Sequence, residues 1–130
     1  MIQPIAEFEE MCLHDGILFK VLQNIELKTL TMQIHLPEDC GQQMEYGELI
    51  FYGVENVKSE PHWEVIDDPD IVAETYHHSV DQATLSGVHF VILYQKWVDG
   101  ELTPSVPILL DFHATEFEWK RQPDQTGYNK

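Results

Sequence analysis

Thr29 to Leu36 carries the cleanest alternation in the chain, with Leu30, Met32, Ile34 and Leu36 on one parity and Thr29, Thr31, Gln33 and His35 on the other. Successive side chains of a strand point to opposite faces, so the pattern predicts a half-buried strand with the first set inward and the second outward. Ile17 to Gln23 is apolar on both parities and predicts a partner strand, with Glu26-Leu27-Lys28 closing the hairpin. Leu49 to Tyr52 resumes as a strand, Gly53 breaks it, and Val54 to Ser59 continues in the extended state. Val88 to Val98 is a long strand with Phe90, Ile92 and Tyr94 on one face and Val91, Leu93 and Trp97 on the other. Asp99-Gly100 after it is a strong hairpin-turn signal.

The return strand spans about Val106 to Lys120, and its parity slips near Ala114. Ile108, Leu110, Phe112 and Ala114 share one phase, Thr115, Phe117 and Trp119 the other, so a bulge or corner there lets one strand serve both halves of a bent sheet. Pro4 to Met11 reads as one or two helical turns, with Ile5, Phe8 and Met11 on one side and Glu7 and Glu10 on the other. Ile71 to His78 mixes signals. Asp68-Pro69 suits a helix start, whereas Ile71, Val72, Thr75 and Tyr76 favour a strand, and we read a strand. Pro37 to Gly47 reads as a loop, as do the residues around Glu60-Pro61 and Asp67 to Asp70. The expected fold is mainly β, an antiparallel sandwich or open barrel of about seven strands with a short N-terminal helix. Residues 1–121 are read as one domain and 122–130 as a flexible C-terminal tail.

Charge sharpens this picture. The chain has 130 residues, 23 acids, 7 bases and a formal charge of −16. From Glu38 to Gln95 there are twelve acids and one base, Lys58, a net −11. Aromatic and aliphatic residues run through the same segment, so it is not a simple acidic tail. Such a balance disfavours nucleic acid, which clustered Lys and Arg hold, and disfavours an anionic membrane. It favours a basic protein partner. The docking residues expected from the acidic loops and their flanks are Glu38, Asp39, Glu45, Glu60, Trp63, Glu64, Asp67, Asp68 and Asp70, with Trp63 as an aromatic anchor.

Cys12 and Cys40 show no CxxC pattern, and the start of the chain lacks the basic and apolar segments of a signal peptide. A cytoplasmic protein with reduced thiols is the expectation. No activated nucleophile or phosphate-binding glycine loop stands out, and no cofactor is expected. Leu13-His14-Asp15-Gly16 reads first as a turn, with His14 a minor metal candidate. Asp111 and His113, two apart on a strand, face the same way, and with His14 and His77 or His78 they form the alternative site of a metal-dependent hydrolase or small-ligand binder.

Leu13-His14-Asp15-Gly16, the strand and hairpin that follow, and Leu49 to Val54 with Val57 give the chain a resemblance to a group of small β-rich bacterial proteins. The resemblance covers roughly residues 8–60, with Val106 to Phe117 in loose agreement. Some members are assigned as immunity proteins of polymorphic toxin systems, which implies a toxin inhibitor and brings no catalytic residues. The leading expectation is therefore a non-enzymatic acidic binding protein. The alternatives are the metal-dependent reading and a structural or accessory domain. Long strands with exposed edges also allow a homodimer.

Overall fold

The computed structural model describes residues 2–13, 16–36, 45–60, 70–81, 83–84 and 86–122. The elements are β1 (Ile2–Pro4), a 3-10 helix (Ile5–Glu10), β2 (Gly16–Asn24), β3 (Thr29–Leu36), β4 (Glu45–Tyr52), β5 (Glu55–Glu60), β6 (Ile71–Val80), β7 (Gly87–Val98), β8 (Glu101–Leu102), β9 (Val106–His113) and β10 (Glu116–Gln122). All ten strands belong to one antiparallel sheet in the order β1-β10-β4-β3-β2-β6-β7-β9-β5, with β8 attached to β7. The class is as the alternation predicts. The strand number exceeds seven because the expected return strand divides into β9 and β10 and the short strands β1 and β8 join the sheet.

Two of those corners bend the sheet over its own core. β4 passes into β5 at Gly53, whose φ of +67° is strained for any residue with a Cβ. β9 passes into β10 at Ala114-Thr115, where the parity slips, and Ala114 stays fully buried. The corner amides keep their partners. Thr115 N–H donates to the Tyr52 carbonyl at 2.9 Å, and Val54 N–H to that of Lys28 at 2.9 Å. β4 and β7 are far apart in the strand order, yet Phe51 meets Phe90 at 6.0 Å and, on β9, Phe112 at 4.9 Å between ring centroids. The core therefore lies between the two arms of the bent sheet.

Single-residue bulges explain the strands whose alternation is blurred. In β2 the register with β3 shifts between Leu18 and Lys20, so Leu18 and Val21 both reach the core although three positions apart. In β6 the shift between Thr75 and His77 turns His78 inward behind Thr75. The hairpin at Asp99-Gly100 has positive φ at both central residues, 52° and 81°, as a two-residue turn between twisted strands requires.

Four expectations need correction. The N-terminal helix is 3-10, Ile5–Glu10, with β1 before it. Gly47 and its two predecessors are strand, not loop, because they pair with β3 and β10. His35 is buried rather than outward, since its register places it between Ile17 and Tyr46, whose side chains flank it on the same face. Cys12 is disulfide-bonded, not a reduced thiol. Cys40, the other cysteine, lies outside the described residues, between Leu36 and Glu45. Those two residues line the same cleft as Cys12, a proximity that sequence spacing cannot reveal.

Candidate functional site

The cleft lies where the 3-10 helix crosses the end of the inner face of β10 and β4, and it encloses about 460 Å³. A 3-10 helix has three residues per turn, so side chains three apart eclipse. Ile5 and Phe8 accordingly turn into the core, while Glu7 and Glu10 stack on the exposed side and line the cleft. Glu45, first residue of β4, closes the acidic rim, with its Oε1 3.7 Å from Nε of Arg121. Among the described residues no basic side chain pairs with Glu7 or Glu10. The floor is soft and aromatic: Met11, Leu36, Phe117 and Trp119.

Trp119 is held by a glycine. A Cβ at Gly47 would stand 2.6 Å from the Lys120 carbonyl and 2.7 Å from the indole Cζ2, so only glycine lets β4 and this ring pack so closely. The indole Nε1 is buried and has no hydrogen-bond partner. On the far side of the helix, Phe8 packs against Phe51, Phe90 and Phe117 at centroid distances of 5.0, 5.6 and 5.2 Å. His78 completes the contact at 4.8 Å. Burial pushes the His78 imidazole below its ordinary pKa, against the opposing pull of backbone hydrogen bonds to Phe8 and Met11. A neutral His78 thus ties the helix to β6.

This arrangement suits a cation. Carboxylates at the rim attract positive charge, and an aromatic face on the floor adds a cation–π contact of about 0.5–2 kcal/mol, depending on desolvation. Of the docking residues expected from sequence, Glu45 belongs to the cleft. Glu60 ends the edge strand β5, and Asp70 is exposed at the start of β6. Glu38, Asp39, Trp63, Glu64, Asp67 and Asp68 lie outside the described residues. Glu7, Glu10 and Trp119 were not singled out as docking residues by charge counting, although the grouping of Glu7 and Glu10 on one helix side was a usable signal.

Of the alternative His and Asp site, the structure describes His77, His78, Asp111 and His113. Asp111 and His113 do share the outer face of β9, but the imidazole that reaches Asp111 is His89, with Nδ1 2.5 Å from Oδ1. His113 Nδ1 is instead 3.3 Å from Ser86 Oγ. His77 pairs in register with Val91, one row away, and His78 turns inward. His14 lies outside the described residues, although the tetrad around it is closed by Gly16 N–H donating to the Leu13 carbonyl at 2.9 Å. His89 and Asp111 are each about half exposed, 45% and 51%, on an open sheet face. Among the described residues no group of three or more His, Cys, Asp or Glu side chains could hold a metal ion. No described helix is long and apolar enough to cross a membrane. Comparison with protein families, with curated proteins and with solved structures gives no match.

Proposed function

We propose that this chain is a non-enzymatic acidic binding protein that engages a basic protein, with the cleft beside the 3-10 helix receiving a lysine or arginine side chain of that partner. The observation that carries the reading is the pairing of an acidic rim, Glu7, Glu10 and Glu45, with a Trp119 and Met11 floor in one cleft of about 460 Å³. The net charge of −16 supports it from a distance. Complementary fields accelerate encounter by roughly 10- to 1000-fold, while the desolvated aromatic contact supplies orientation. An immunity-type inhibitor of a basic toxin is one form such binding would take.

Titration with a hexa-arginine peptide, followed by calorimetry at low and high salt, tests the reading. Binding should weaken steeply with salt, and Glu7→Gln with Glu10→Gln should weaken it at least about tenfold, the loss of roughly 1.4 kcal/mol. Affinity indifferent to both changes would remove the cleft from the account.

A further inference from the structure

The outer faces of β6, β7, β9 and β5 form a second surface. Directly paired residues of neighbouring strands share a face, so the register writes it out in rows. One row reads His77, Val91, Leu109, Glu60 from β6 to β5, and the next reads Ser79, His89, Asp111, Lys58. Leu109 is 46% exposed, and towards the β7–β8 hairpin Val72, Trp97 and Leu102 on the same sheet are exposed as well. On a chain of −16, these two rows carry two carboxylates, and Asp111 already has His89 against it.

We propose that this face is a homodimer interface, in which the β6-β7-β9-β5 faces of two copies stack about a two-fold axis parallel to the strands. Such an axis reverses the strand order of the second copy, so β6 lies over β5 and β7 over β9. Each row then meets its own reverse. Val91 and Leu109 cover Leu109 and Val91 of the second copy, His77 lies over its Glu60, His89 over its Asp111 and Ser79 over its Lys58. Apolar side chains fall at the centre of the first row with polar ones at its ends, the usual anatomy of an interface. A two-fold contact also demands a self-complementary patch. Sheets pack in this way about 10 Å apart with strands within about 30° of alignment.

The area is of the right order. Four strands spaced about 4.8 Å apart and about 27 Å long give roughly 500 Å² in plan, before side-chain relief, against about 800 Å² per partner in a stable complex. Charge selects the occupant. A basic protein is drawn to the acidic rim of the cleft, whereas in this stacking each carboxylate of the two central rows, Glu60 and Asp111, lies opposite an imidazole of the second copy, His77 and His89.

Sedimentation velocity of the full chain across roughly 1–100 μM reads the proposal directly. The expected result is a dimer that Leu109→Arg converts to monomer, raising the dissociation constant at least about tenfold, with an unchanged circular dichroism spectrum because Leu109 is already exposed. Should Leu109→Arg disturb folding, Glu60→Lys tests the same contact: it should weaken the dimer, and adding His77→Glu should restore it. A chain that is monomeric throughout, or a dimer that these substitutions leave intact, overturns the proposal. Either result leaves the cleft, which sits on other elements, to stand or fall on its own test.

Discussion

The cleft beside the 3-10 helix and the outer face of β6, β7 and β9 carry different chemistry, carboxylates over aromatic and thioether side chains in one, aliphatic side chains among imidazoles and carboxylates on the other. The cleft forms where inner-face positions of β10 run past the core: Phe117 is buried, Trp119 only partly, and Glu7 and Glu10 stand over them from a helix. Its character depends on tertiary closure. The outer face needs nothing beyond strand register, which alone sets Val91 beside Leu109 and His89 beside Asp111. Perturbing the core should therefore damage the cleft far more than the sheet face.

Phe8→Ala should show this most strongly. The ring is fully buried against Phe51, Phe90 and Phe117, so its removal should cost about 3–5 kcal/mol in urea unfolding and loosen the acidic helix. Hexa-arginine binding should fall with it, measured where the variant remains folded. Gly47→Ala should cost about 1–3 kcal/mol by overpacking against the Lys120 carbonyl and Trp119, and it should disturb cleft binding without touching the outer face.

His78 sharpens the comparison through pH. Its folded pKa is depressed chiefly by burial, so below the ordinary value of 6.5 the unfolded chain binds a proton that the folded chain resists. The contribution is present above that pH, is lost as pH falls through it, and levels off below the depressed folded value. One proton limits the slope to about 1.4 kcal/mol per pH unit. The difference between wild type and His78→Gln in denaturation at pH 7.5 and 5.5 should show the slope removed in the variant. Smallest of all, Leu109→Ala should change monomer stability by no more than about 0.5 kcal/mol while weakening self-association.

Much of the fold is legible because alternation is a local property. The faces of β3 and β7 and the corner at Ala114 follow from parity. Parity stops one step short of the His89–Asp111 contact. The two-residue turn at Asp99-Gly100 pairs residues of opposite parity, as in Trp97 with Leu102, whereas the cores of β7 and β9 are both even-numbered. An odd slip between β8 and β9 is therefore required, and its direction, which parity leaves open, sets Phe90 opposite Leu110 and His89 opposite Asp111. The inward turn of His78 and the burial of His35 were hidden for different reasons, a bulge in one strand and flanking side chains from two others. The cleft was hidden because residues 3–12, 36, 45 and 117–119 meet only once the sheet has bent.

Chemical-shift mapping in isotope-labelled protein tests the central claim most directly. On titration with hexa-arginine, the Trp119 indole N–H and the backbone amides of Glu7, Glu10, Met11 and Glu45 should move together and saturate on one binding curve. Val91, Leu109 and Asp111 should stay in place. Shifts concentrated on the outer face of β6, β7 and β9, or scattered over every acidic residue without saturation, would contradict the assignment of the cleft as the docking site.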